Sequence, residues 1–380
     1  MKAEKLSPEE LSPEKKRQIR MLHAKRLHAR SWRRLQEWRA RLPHALLFSG
    51  ERGLGKSELA LAFAASLLCE KPQAEGAFCG ECLACHWFFQ GSHPDFRLLQ
   101  PAALQAEETE DKKSGKGGSA GSAGEGEGEK EKSTRAKQQI TIDQIRELDE
   151  FLCVGTHRQK SRVILIQPAE RMNREAANAL LKMLEEPPPD TLFLLVASEP
   201  MRLMPTLRSR CQSLRLSLPS PEESEAFLAE AGLRDAATWL ALAGGAPLLA
   251  LQLSQKTADW QPLLTEALQR GGRLDALQVA ERLEKSLKAV KGENPLPWFV
   301  DWAQKWLVDL NLAAQELPIR FYLAERAKIM TLAKKSLPVF LARFYRQLSQ
   351  LRRESAHPLN LRLFLEQFFL DYRALFPEEE

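Results

Sequence analysis

The chain has no run of 18 uncharged apolar residues, which excludes a membrane-spanning helix of ordinary length. Its opening stretch, MKAEKLSPEELSPEKKRQIR, lacks the apolar core of a secretory signal, so an intracellular, cytoplasmic location is expected. Neither sign of charge dominates. With 55 Lys/Arg against 50 Asp/Glu the net charge is +5, too small on its own to imply a nucleic-acid partner. Cysteine is scarce, six in 380 residues, and intracellular thiols stay reduced, so a disulfide framework is not expected. No internal repeat is detectable.

What is present points to packed domains. A hydrophobic fraction of 44% supports real cores and excludes global disorder, and 380 residues suggest two or three domains. The charge is unevenly placed: residues 1–42 hold 13 Lys/Arg and 5 Asp/Glu, leaving the rest slightly acidic. This surplus reads either as a phosphate-binding arm or as a solvated, partly helical extension, and the extension is the expected form.

LPHALLFSG reads as a buried strand running into a glycine turn, and SELALAFAASLL as the helix after it. HPDFRLLQP is a further strand, and ITIDQIRELDEFL a helix capped near Asp143. Between them, residues 106–137 are nearly all Gly, Ser, Glu, Lys and Ala, a composition that cannot offset ordering entropy and predicts a disordered insertion. SRVILIQPA and TLFLLVAS are continuous apolar strands suited to a parallel sheet, separated by a helix that Asn173 caps and a triple proline stops. This alternation predicts a doubly wound α/β domain. Beyond about Ser217 strand signals cease, and the remainder reads as helix. Trp298, Trp302 and Trp306 recur at i, i+4 and i+8 there, a packing stripe rather than a base-stacking one, and Asn360 is a candidate cap.

GERGLGKS, Gly50 to Ser57, matches G-x-x-x-x-G-K-[ST] between a buried strand and a helix. Gly50, Gly53 and Gly55 let backbone amides wrap a polyphosphate, Lys56 neutralises β/γ oxygens, and the Ser57 hydroxyl holds Mg²⁺. The alternative is a loop retained only for packing. Hydrolysis needs an acid at the end of a second parallel strand, and VILIQPAE offers Gln167 and Pro168 there. Glu170, three residues on, is expected to aim elsewhere. The chain is thus equipped to bind ATP or ADP, and poorly equipped to hydrolyse it.

Four cysteines cluster as Cys69-x9-Cys79-x2-Cys82-x2-Cys85, a spacing suited to a closed, structural zinc tetrahedron; a redox cluster is the alternative. His86 is a possible substitute ligand, while Cys153 and Cys211 are expected to be ordinary buried residues. Ser198, at the end of TLFLLVAS, is placed either to sense a γ-phosphate or to cap the next turn. Arg210 falls in a short polar turn before another strand, where it is either a trans-acting finger or a salt-bridging surface arginine.

These blocks together resemble the delta-prime clamp-loader subunits of bacterial DNA polymerase III, within the AAA+ family. The similarity runs from about Trp32 through the phosphate loop, the Cys cluster, GSHPDF, NALLKMLEEPP, SRC and GGAPLLAL into the helical C-terminus, roughly 350 residues. The resemblance implies an α/β P-loop (AAA+) nucleotide-fold domain with an inserted zinc module, a small helical lid and an all-α collar. The implied boundaries are a basic extension at 1–27, the AAA+ domain at 28–217 with zinc module 69–85, a lid at 218–256, and a collar at 257–380. It implies a hetero-pentamer with gamma/tau and delta subunits, contact with the sliding clamp and primer-template DNA through that complex, and no membrane. It makes Arg210 the arginine finger for a gamma/tau ATP and Cys69, Cys79, Cys82 and Cys85 structural Zn²⁺ ligands. Two features depart from the pattern: the phosphate loop is intact where many such subunits have lost it, and Pro247 and Leu248 stand where active relatives carry a phosphate-touching lid arginine.

Overall fold

The computed structural model describes residues 12–102, 104, 138–153, 161–256, 260–289, 296–354 and 360–376. The expected insertion at 106–137 lies outside them. The chain divides into two compact units, Met1–Pro219 and Ser220–Glu380.

In the first unit the order is α1 (Pro13–Leu27), α2 (Ala29–Trp38), β1 (Ala45–Ser49), α3 (Lys56–Leu68), α4 (Leu83–Gln90) and β2 (Phe96–Leu99). Then follow α5 (Ile142–Cys153), β3 (Arg162–Ile166), α6 (Arg174–Glu185), β4 (Thr191–Ala197), α7 (Pro205–Arg210) and β5 (Gln212–Arg215). The five strands form one parallel sheet in the order β2-β3-β4-β1-β5. All residues of β1, β3 and β4 are buried, which is why these strands read as unbroken apolar runs: helices cover both faces. On one face, Ala45, Leu47, Ile164, Ile166, Phe193 and Leu195 pack with Ile145 and Leu148 of α5 and Leu180 and Leu184 of α6. α3 packs along β1, β3 and β4.

Local signals explain most element ends. Asn173 caps α6, its side-chain oxygen accepting from the Ala176 amide at 2.8 Å. Asp143 does not cap α5; it lies inside the first turn, and the Gln144 side chain accepts from the Thr141 amide at 3.0 Å. The basic extension also differs from the expected solvated form. From Pro13 it is helical, and Met21 and Ala24 are buried, with α1 packing on α3 and α4. The charges conceal this because they run all round the helix, Arg17 and Lys25 flanking the buried Met21 and being themselves only partly exposed.

The second unit is all helical: α8 (Pro221–Glu230), α9 (Ala236–Leu242), α10 (Pro247–Lys256), α11 (Gln261–Gln269), α12 (Ala276–Ala289), α13 (Leu296–Ala314), α14 (Arg326–Ala333), α15 (Pro338–Glu354) and α16 (Leu361–Arg373). It holds both segments expected as lid and collar. Trp302 and Trp306 of α13 are fully buried and Trp298 half-buried, so the stripe is core. Trp302 meets Trp239, Trp260 and Tyr322 edge-on, while Trp306 donates its indole N–H to the Tyr372 hydroxyl at 2.9 Å. Asp309, also fully buried, accepts from the amides of Arg320, Phe321 and Tyr322. Asn360 caps α16 by accepting from the amides of Arg362 and Leu363. No single helix among the described residues is long and apolar enough to cross a membrane.

Candidate nucleotide and metal sites

Because the strands are parallel, the carboxyl ends of β1, β3 and β4 share one edge of the sheet, with β4 between the other two. That edge is where the crevice of an open α/β sheet takes a ligand. It brings together the phosphate loop after β1, Gln167 and Pro168 after β3, and Ser198 after β4.

The loop has the backbone a polyphosphate cradle needs. Gly50, Gly53 and Gly55 adopt φ values of 150°, 79° and 77°. At Gly50 a Cβ would stand 2.7 Å from the Leu216 carbonyl oxygen, so a side chain is excluded on space as well as conformation. Gly55 begins α3 in a left-handed conformation with no side-chain cap, which leaves the first helical amides available to an anion. Lys56 is only 5% exposed, and its ammonium donates to the Glu51 carbonyl at 2.5 Å. Burial pulls its pKa from an ordinary 10.5 down to about 8, against the opposing pull of Glu170 and Glu58. A buried ammonium in a glycine cradle fits a nucleotide polyphosphate. Lys56 and the α3 amides would hold the phosphates, and Ser57 is placed in the first turn of α3 for the accompanying Mg²⁺.

Glu170 corrects the expectation that it points away. One carboxylate oxygen accepts from the Ser198 amide at 2.9 Å and the Glu199 amide at 3.3 Å. Its charge also acts on Lys56. The side chain therefore folds back across the sheet edge and joins β3 to the end of β4, and the Gln167 Oε1 and Glu170 Oε2 oxygens are buried without a partner among the described residues. Sequence spacing concealed this because the three residues Ala169–Arg171 form a tight helical turn that reverses the direction of the side chain. Ser198 is bound through its amide; Glu199, not Ser198, occupies the N-cap position of the turn that follows, and its side chain makes no capping bond.

A residue that sequence reasoning missed is His28, buried between α1 and α2. Its Nε2 lies 2.6 Å from the Leu54 carbonyl oxygen, inside the phosphate loop. Burial, together with the charge of Lys56, lowers its pKa, so the ring is neutral and donates to Leu54. The only available sequence signal was a histidine in a basic run.

The four cysteines converge. Cys69 ends α3, Cys79 and Gly80 form a turn, and Cys82 and Cys85 cap and open α4. Their sulfurs all lie within 4.8 Å of one another, with separations of 3.6 Å for Cys69–Cys79 and 3.9 Å for Cys69–Cys82 and Cys79–Cys85. A tetrahedron of sulfurs about 2.3 Å from zinc has edges of about 3.8 Å, so the donor set fits Zn²⁺. The Cys79 sulfur accepts from the Cys82 amide at 3.3 Å and the Glu81 amide at 3.5 Å, bonds that favour a thiolate. His86 is exposed and engaged with Gln90 at 2.9 Å on α4. Cys211 is half-buried, its thiol pushed up to about 11 by burial; the Cys153 side chain lies outside the described residues.

Arg210 is not in a turn; it is the last residue of α7, and β5 after it is largely exposed. The guanidinium bonds Glu185 at 2.6 Å and the Thr206 carbonyl at 3.1 Å, and the side chain stays 35% exposed.

A parallel five-stranded sheet with β1 between β4 and β5, opening through a glycine cradle into α3, defines the first unit as a P-loop nucleotide-fold domain. The family model described as "DNA polymerase III, delta subunit" matches residues 28–220. DNA polymerase III subunit delta′ of Pseudomonas aeruginosa is 35% identical over 281 residues, covering 70% of this chain and 71% of that protein. The same-named subunit of Escherichia coli is 34% identical over 225 residues, 57% and 56% of the two chains. The chain belongs to the delta′ family of DNA polymerase III subunits. Among solved structures, a gamma subunit-related protein of Thermotoga maritima aligns over 90% of this chain and 97% of its own, at 18% identity and a TM-score of 0.43.

Proposed function

We propose that this chain is the delta-prime subunit of a cytoplasmic DNA polymerase III clamp loader. It works beside gamma/tau and delta subunits in a hetero-pentamer and helps place the sliding clamp on primed DNA. It binds ATP or ADP with Mg²⁺ without turning it over. Residues 218–256 serve as its lid and 257–380 as its collar. The observation that carries this reading is a contrast along one sheet edge. The glycine cradle and Lys56 are intact after β1, while the end of β3 offers Gln167 and Pro168 where a hydrolase needs an acid. Glu170 lies three residues beyond Gln167 and is held toward the end of β4, where two amides engage one of its carboxylate oxygens.

Cys69, Cys79, Cys82 and Cys85 hold one structural Zn²⁺. With four thiolates the shell is closed, so the ion staples the end of α3 to α4 and takes no part in chemistry. Metal analysis of purified chain should find about one zinc per molecule; metal-free, folded protein would refute this.

Arg210 acts on a neighbouring subunit's ATP. Its partly exposed pair with Glu185 is the kind that contributes roughly 0–1 kcal/mol, so it holds the guanidinium without trapping it. Arg210→Ala should leave the chain folded and slow hydrolysis at the one gamma/tau site it faces by about 10³-fold or more, read as a partial loss of ATPase in the reconstituted gamma/tau, delta and delta-prime assembly. An unchanged rate would remove the finger role. Rapid ATP turnover by the purified chain alone would instead identify a motor subunit.

A further inference from the structure

α1 and α2 carry charges that helix stability alone does not select. Residues 12–42 contain eleven Lys/Arg and two Asp/Glu. α2 starts with no side-chain cap and no acid in its first turn; Arg30 stands there instead, where the helix dipole disfavours a cation. Arg30, Arg33 and Arg34 follow the i, i+3, i+4 spacing and are all exposed, whereas Trp32 and Leu35 on the other side are buried. On α1, Lys16 and Arg20 form a second exposed i, i+4 pair. None of these five cations enters an ion pair among the described residues. Like charges at such spacing destabilise a helix by about 0.2–0.5 kcal/mol per pair, and the one acid of this row, Glu37, offsets only part of that, so a net positive surface remains for an external counter-charge.

The surface is also preorganised. Met21 and Ala24 seat α1 on the domain. The Trp32 indole donates to the Glu75 carbonyl at 2.9 Å, and Arg39 donates to the Ser66 carbonyl at 3.1 Å. A ligand meeting these cations has little backbone to order.

We propose that this helix pair is a docking surface for the phosphate backbone of duplex DNA. The ten residues of α2 extend about 15 Å, the rise of about four base pairs. The solvent side of α2 carries Arg30, Arg33 and Arg34 beside a single acid, Glu37, and the planar arginine fork matches phosphate oxygens. A lipid surface fits less well, because the apolar side of α2 is committed to the domain core and cannot enter a bilayer. An acidic protein fits less well too, because that row of α2 has no exposed apolar anchor. The surface belongs to this chain alone and does not depend on its subunit role.

The test is fluorescence anisotropy with the full chain and a labelled 20-base-pair duplex bearing a 5′ overhang, between about 50 and 200 mM KCl. Contacts to about five phosphates predict a slope of log K against log salt of about −4.5, with Kd on the order of 10⁻⁶ M at the low-salt end. R30E/R33E/R34E should weaken binding by roughly tenfold or more and flatten the slope by about 2 to 3, with an unchanged melting profile. R30K/R33K/R34K should keep most of the slope. The proposal is overturned if wild type and R30E/R33E/R34E bind alike, if no saturable duplex binding occurs at about 50 mM salt, or if polyglutamate or phosphatidylserine vesicles bind better than the duplex.

Discussion

Lys56 gives the sharpest test of how the phosphate loop is built. Its ammonium is buried in the protein, and its pKa falls from 10.5 to about 8. The charged form is therefore disfavoured in the folded state, and the fold carries a penalty at pH values below about 8. At about 1.4 kcal/mol per pKa unit, the penalty at pH 7 is roughly 3 kcal/mol. It shrinks as pH rises from about 8 toward 10.5, as the folded-state lysine loses its proton first. Lys56→Met removes the charge and keeps the length, at the loss of one bond to the Glu51 carbonyl worth about 1 kcal/mol. The variant should thus be more stable than wild type at pH 7 by about 2 kcal/mol, with the advantage vanishing near pH 10. Urea titrations read by peptide-level hydrogen exchange across α3 would follow the first unit separately. Destabilisation of the variant at pH 7, or a difference independent of pH, would refute the account. The same reasoning predicts that nucleotide binding by wild type takes up a proton above about pH 8, since phosphates restore the charge on Lys56.

His28→Ala leaves the Leu54 carbonyl without its donor, and should cost about 1–3 kcal/mol and weaken nucleotide binding, measured by denaturation and by calorimetric titration. Because burial lowers the His28 pKa, its neutral form contributes stability that is present above about pH 6.5 and lost as pH falls below it; the variant should lack that slope. In the second unit, Asp309→Ala strips three backbone amides of their acceptor and should cost about 3 kcal/mol or more. Asp309→Asn, which retains one oxygen, should recover part of this. Equal melting of wild type and Asp309→Ala would show that the loop at 320–322 does not depend on the carboxylate.

Strands β1, β3 and β4 were legible as unbroken apolar runs because a strand buried on both faces has no polar side to show. The Asn173 and Asn360 caps were legible because a cap acts on amides only two or three residues away. Edges were harder to read. β5 is short and mostly exposed, and Arg210 looked like part of a turn because one and a half turns of helix leave little periodic signal.

The phosphate loop, the missing acids after β3 and the four-cysteine spacing can all be read along the chain, since each depends on residues a few positions apart. β-type patterning stops near residue 217, and the division into two compact units falls after Pro219. Where side chains meet across the fold is set by the packing of elements far apart in the chain. That packing carried Glu170 back to the end of β4, put His28 against a carbonyl 26 residues away, and buried one side of α1 and α2 while leaving Arg20, Arg30, Arg33 and Arg34 exposed. Those contacts join elements distant in the chain, and no periodicity within a single element encodes which neighbour it will meet.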